Sequence, residues 1–99
     1  MVMSFEWNEQ KHKINLAKHG VSFDLAKLIF DGITLENIDD RQEYGEKRIG
    51  AYGIAKGELL FVVYTWRGQK RRIISARKAG TDEQKTYYKR ISQHKEANN

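Results

Sequence analysis

Five cations fall within twelve residues, in the stretch from Gln69 to Gly80 that reads Gln-Lys-Arg-Arg-Ile-Ile-Ser-Ala-Arg-Lys-Ala-Gly. In an extended chain Arg72, Ile74, Ala76 and Lys78 share one face and Arg71, Ile73, Ser75 and Arg77 the other, so each face has an apolar centre and cationic ends. Such a strand sits in a core while its charges emerge at the rims. There they either bind a poly-anion or keep the protein soluble, and this stretch alone leaves both readings open. The charge of the whole chain favours the first. The 99 residues carry a net charge of +5; residues 1–66 hold 8 Lys and Arg against 10 Asp and Glu, whereas residues 67–99 hold 10 against 3. A basic third after an acidic two-thirds suggests a surface that meets phosphate, with an affinity that falls as salt rises. The acidic cluster Glu36, Asp39, Asp40, Glu43 and Glu46 is either a solvated loop or a dock for a basic partner.

Other chemistries find little support. His12, His19 and His94 lack close metal-ligand spacing, there is no cysteine, and there is no Gly-rich phosphate loop. Neither a metal nor a cofactor is expected. The absence of cysteine fits a reducing compartment. The longest apolar run, Leu59 to Tyr64, is far short of a membrane span, and the first residues lack a signal peptide's pattern. The chain is therefore expected to be cytoplasmic, with no membrane partner.

The elements that must position these cations follow from caps, turns and periodicity. Ser4 to Trp7 reads as a short edge strand with Phe5 and Trp7 on one face. Asn8 has the chemistry of an N-cap for a first helix from about Glu9 to His19, which Gly20 ends. Its apolar content, Ile14, Leu16 and Ala17, is thin. Ser22 caps a second helix, Phe23 to about Phe30, with Val21 stapled against Ala26 and a stripe of Phe23, Ala26, Ile29 and Phe30. Gly32 stops it. A strand over Ile33 to Ile38 follows, then a polar connection from Asp39 to Tyr44. Lys47 to Ala55 and Glu58 to Trp66 are strands joined by Lys56 and Gly57; the second, apolar on both faces, belongs in the middle of a sheet. Arg67 and Gly68 turn into the basic strand, completing an antiparallel meander. Thr81 and Gln84 fit a capping box for a last helix from Asp82 to about Glu96, with Tyr87, Tyr88, Ile91 and His94 turned inward and the residues from Ala97 fraying. The expectation is one α+β domain over residues 1–99, its N-terminal helices and C-terminal helix packed on a small, mainly antiparallel sheet.

Three blocks, Phe5-Glu6-Trp7, Lys18-His19-Gly20-Val21-Ser22-Phe23 and Arg72-Ile73-Ile74-Ser75-Ala76-Arg77-Lys78-Ala79, in this order and at these separations, resemble the BrnT family of toxins. The likeness runs from about Phe5 to Tyr87. It implies a RelE-like fold and an endoribonuclease toxin that inhibits translation. It also implies a BrnA-type ribbon-helix-helix antitoxin as partner, with operator DNA met only through the toxin–antitoxin complex. Asn8 stands where the family often has Asp, and Gly80, Thr81, Asp82, Glu83 and Gln84 stand where it is often strongly basic. The second departure weakens the start of the last helix as an RNA contact.

Cleaving RNA without a metal needs a base for the 2′-hydroxyl proton, cations to stabilise the transition state, and an acid for the leaving 5′-oxygen. His19 is the acid/base candidate by intrinsic pKa, or else a helix-capping side chain. Arg77 is the leading candidate for charge stabilisation, its fork matching two phosphate oxygens, with Arg72 and Lys78 next. The plainer account of these three is an ion pair with the acidic 36–46 segment. Glu46 and Arg48 open the strand that a RelE-like sheet would place beside Arg77; either points into a catalytic groove, or Arg48 is taken up in a salt bridge. Of Tyr87 and Tyr88, one is core and the other offers a hydroxyl or a stacking ring; Tyr87 is counted with the catalytic candidates. Lys11, Lys18, Arg48, Arg71 and Lys78 are candidate RNA contacts, and Trp7 and Trp66 are read as core. The rival reading is a non-catalytic RNA- or protein-binding module on the same fold.

Overall fold

A computed structural model describes the backbone of residues 3–97 and the side chains of residues 3–93. β1 (Ser4–Trp7) leads into α1 (Glu9–His19), whose first turn is capped by Asn8, its side chain accepting from the Lys11 N–H. Gly20, at φ +69°, ends α1 in the left-handed conformation that glycine adopts without a Cβ penalty. Ser22 caps α2 (Phe23–Ala26), which continues as a 3₁₀ segment over Lys27–Asp31 in place of the single helix expected. Three-residue turns superpose side chains three apart, and the buried Phe23, Ala26 and Ile29 have that spacing. Gly32 closes the segment, but in an extended conformation.

The sheet has five strands in the order β1-β5-β4-β3-β2. β2 (Leu35–Asp39), β3 (Arg48–Ala55), β4 (Glu58–Arg67) and β5 (Lys70–Lys78) form an antiparallel meander, and β1 adds to β5 in parallel. β2 lies later than the expected strand by two residues at its start and one at its end. The β3–β4 turn puts both Lys56 and Gly57 at positive φ, as a two-residue hairpin matched to strand twist requires. The β4–β5 turn is Gly68 and Gln69, one residue along from Arg67 and Gly68, because Arg67 pairs with Lys70.

The two faces of the sheet carry separate apolar clusters. On the first, α2 and the 3₁₀ segment set Val21, Phe23, Ala26, Ile29 and Phe30 against Ala51, Leu60, Val62, Tyr64, Ile73 and Ala76. A Cβ on Gly53 would come within 2.8 Å of the Ile29 Cβ, so a glycine there lets the 3₁₀ segment lie directly on β3. On the second face, α3 (Thr81–Ala97) contributes Tyr87 to a smaller cluster with Leu59 and Ala79, against which Leu35, Tyr52, Ile54 and Ile91 pack. Ala97 is thus the last residue of α3; the side chain of His94 and residues 98–99 lie outside the described residues. The expected Thr81/Gln84 box gives way to Gly80 and Glu83, whose carboxylate accepts from the Gly80 N–H at 2.8 Å.

Ile73 and Ala76 both lie in the first cluster, although strict alternation would place them on opposite faces. A bulge accounts for it. Val63 pairs with Ser75 and Tyr64 with Ile73, leaving Ile74 as the extra residue on β5. Arg71 therefore shares the first face, under α2, with Ile73, while Arg72 and Arg77 both belong to the second face.

Candidate active site

Past Ile73, β5 has no strand partner on its outer edge, since β1 pairs only from Lys70 to Ile73. Asn15 takes over that edge. Its side-chain amide donates to the Ala76 carbonyl at 2.8 Å and accepts from the Ala76 N–H at 3.1 Å, as a neighbouring strand would, and donates also to Val21 O at 3.0 Å. Asn15 is the buried residue of α1, while Ile14 and Leu16 are exposed, the reverse of an ordinary amphipathic helix. This docking carries His19, four residues on, to the margin of the second face. There His19, Arg41, Phe61 and Arg77 line a cleft of about 210 Å³. Arg41, Phe61 and Arg77 also line an adjoining hollow of about 330 Å³ that reaches Tyr52 and Asp39. Two guanidiniums lie by the Phe61 ring, Arg77 at 4.7 Å and Arg41 at 6.0 Å from its centroid.

Each guanidinium is held by a carboxylate. Glu83 grips Arg77 through both nitrogens, at 2.8 and 2.9 Å, and also accepts from the Tyr52 hydroxyl. The Arg77 hydrogen bonds hold the Glu83 carboxyl down to about 2, against an ordinary 4.5, and burial raises the Tyr52 hydroxyl. Asp39, buried at the end of β2, forms the same two-point pair with Arg41 at 2.7 and 2.9 Å, which lowers its pKa. The result is a partly apolar cleft with two arginines of fixed orientation, a histidine at its margin and a carboxylate–phenol pair beside one arginine. A phosphodiester that displaces one of these carboxylates meets a planar two-point donor, with groups able to exchange protons beside it. Among the described residues no group of three or more His, Cys, Asp or Glu is placed to hold a metal ion.

His19 and Arg77 are thus brought together, and the other candidates lie elsewhere. Arg72 is on the same face but bonded to Glu6 at 2.6 Å, and Lys78 lies 3.5 Å from Glu58. The ion pairs expected between Arg72, Arg77 or Lys78 and the 36–46 segment do not form; each has an acid nearer in space, on β1, α3 and β4 respectively. Glu46 and Arg48 stand at the start of β3, whereas the Arg77 row crosses that strand near its middle, at Tyr52, in line with Phe61. They are 3.3 Å apart, with Glu46 also on Arg67. Tyr87 is buried and donates to Ile33 O at 2.8 Å, while Tyr88 is 49% exposed. Arg71 lies on the other face against Phe30, Tyr64 and Trp66. Trp66, read as core, is 46% exposed there. Lys11 and Lys18 are exposed on α1.

Sequence reasoning missed Arg41, Phe61, Tyr52 and Glu83 as site residues. Glu83 was visible only as a departure from a basic pattern, and Arg41 only as part of a polar connection. No local signal marks either as a partner of a side chain on another strand.

A family model described as ribonuclease toxin, BrnT, of type II toxin-antitoxin system matches residues 7–83. The span takes in His19, Arg41, Tyr52, Phe61 and Arg77 and ends on Glu83. Among solved structures, the crystal structure of the Brucella abortus ribonuclease toxin, BrnT, is similar, at 28% identity and a TM-score of 0.61, covering 81% of this chain and 100% of that one. No curated protein matches the chain.

Proposed function

Because the chain belongs to the BrnT family of ribonuclease toxins of type II toxin–antitoxin systems, we propose that RNA is cut in the cleft between His19, Arg41 and Arg77. The observation that carries this is the convergence there of two fixed arginines, a histidine and a carboxylate from four separate segments of chain. The reaction is attack of the 2′-oxygen on phosphorus, without a metal. The new P–O2′ bond gives a 2′,3′-cyclic phosphate as the P–O5′ bond breaks. Arg77 and Arg41 stabilise the charge gathered on the phosphorane-like oxygens. Phosphate competes with Glu83 for the Arg77 fork, and a carboxylate released from Arg77 regains basicity. Glu83 then takes the 2′-hydroxyl proton, and His19 supplies one to the departing 5′-oxygen. Arg72, Lys78, Arg48, Lys11 and Lys18, which lie outside the cleft, are assigned only more distant phosphate contacts.

The wider reading is a single RelE-like domain over residues 1–99, acting in the cytoplasm on messenger or other single-stranded RNA and so inhibiting translation. Its neutralising partner is a BrnA-like ribbon-helix-helix antitoxin, through which alone the pair meets operator DNA. Support for the RelE-like comparison is the antiparallel meander with α2 and its 3₁₀ continuation on one face and the C-terminal helix on the other. A second reading, a non-catalytic binding module, draws on the fact that Arg41, Arg72 and Arg77 are already ion-paired within the chain.

The test is cleavage of a labelled RNA in EDTA by wild type and Arg77→Ala, the two matched for folding by circular dichroism. Wild type should leave cyclic-phosphate ends, and the variant should be slower by roughly a hundredfold, the usual loss on removing one transition-state donor. Equal cleavage by both would move the site away from Arg77. RNA binding without cleavage by either, with ribosomes present as well, would favour the binding module.

A further inference from the structure

We propose that the antitoxin lays an extended segment, apolar and acidic side chains alternating, along the outer edge of β2 and into the trough between β2 and α3. The inference rests on the toxin–antitoxin reading of the chain. β2 is the last strand of the sheet and pairs only with β3, so its other edge presents backbone donors and acceptors with no ladder to join. Ile33, just before it, and Ile38, within it, are 50% and 58% exposed. A trough of about 690 Å³ runs between this strand and α3, lined by Ile33, Leu35 and Ile91 and by Lys89 and Arg90. An unpaired strand edge beside apolar side chains suits a polypeptide strand, which supplies the missing hydrogen bonds, better than a sugar–phosphate chain.

Charge selects the occupant further. Among the described residues, Lys89 and Arg90 have no ion-pair partner, unlike Arg72 and Arg77 on the same side of the sheet. Asp82 lines the hollow that adjoins the trough and not the trough itself, so the segment's acidic residues belong in the trough, by Lys89 and Arg90. The trough shares Leu35 and Arg90 with a hollow of about 280 Å³ that extends to Tyr52 and Glu83, the groups holding Arg77. Asn37 lines both that hollow and the one at Arg41 and Arg77. A strand seated on β2 therefore ends against the candidate active site and closes its approach.

The experiment measures binding of the purified cognate antitoxin to the full-length toxin and to Lys89→Glu/Arg90→Glu by calorimetry, with amide exchange followed on the free toxin and the complex. The double reversal, on an exposed helix face, should weaken binding by roughly tenfold or more and leave RNA cleavage within about twofold. Exchange at residues 35–39 should slow in the wild-type complex. Undiminished affinity, or unchanged exchange at β2, overturns the proposal. Loss of RNA cleavage with antitoxin affinity intact overturns it in favour of a nucleic-acid track. Failure of the wild type to bind the antitoxin removes the partner itself, whereas wild-type binding unaffected by the reversal removes only this surface.

Discussion

Glu83 serves three groups at once, the Arg77 guanidinium, the Tyr52 hydroxyl and the Gly80 N–H. A carboxylate so placed fixes the arginine's orientation and ties the start of α3 to the sheet. Its folded pKa, about 2, lies below the ordinary 4.5, so its contribution to stability is fully present above that ordinary value and is lost as pH falls through about 2. Denaturant titrations over a pH series should therefore show wild type losing stability between about pH 5 and 2 more steeply than Glu83→Gln. The glutamine variant should be the weaker at neutral pH, with the difference shrinking in acid. Parallel pH profiles for the two proteins would mean that the pair with Arg77 adds nothing to folding, as many exposed ion pairs do not.

At the scale of elements, the junction of α1 with β5 shows how a polar residue can do what apolar packing does elsewhere. α1 has little apolar surface to bury, and its hold on the sheet edge rests on the Asn15 amide, which satisfies both backbone groups of Ala76 and the Val21 carbonyl. Asn15→Ala removes those hydrogen bonds and leaves buried backbone groups without partners, so urea unfolding should show a loss of about 2–4 kcal/mol. Cleavage should fall too, because His19 is aimed from the same helix. A loss below about 1 kcal/mol would mean that water replaces the amide at the edge. The bulge at Ile74 is the other element-scale device. It turns the second half of β5 over, and without it Arg72 and Arg77 would face opposite sides of the sheet.

For the whole molecule, the basic C-terminal third does not form a bare cationic strip, because acids from other segments pair with most of its arginines. RNA must exchange carboxylate for phosphate, and the net charge of +5 understates that competition. If about three phosphates are engaged, the logarithm of RNA affinity should fall with the logarithm of salt concentration at a slope near −2, as for single strands. A slope near zero would take RNA off this face. The caps at Asn8, Gly20 and Ser22, the hairpin at Lys56 and Gly57, the central place of β4 and the order of the elements were legible in the sequence. Each rests on residues within a few positions of one another, where backbone geometry and hydrophobic period act directly. The family likeness was legible in three short blocks. What only the tertiary structure decided was which face Arg71 and Arg77 occupy, that Asn15 serves as an edge strand, that Arg41 and Phe61 line the clefts at Arg77, and that Glu83 and Tyr52 join each other beside it. Those outcomes depend on a one-residue slip in β5 and on pairings between segments far apart in the chain, where side-chain identity alone carries no register.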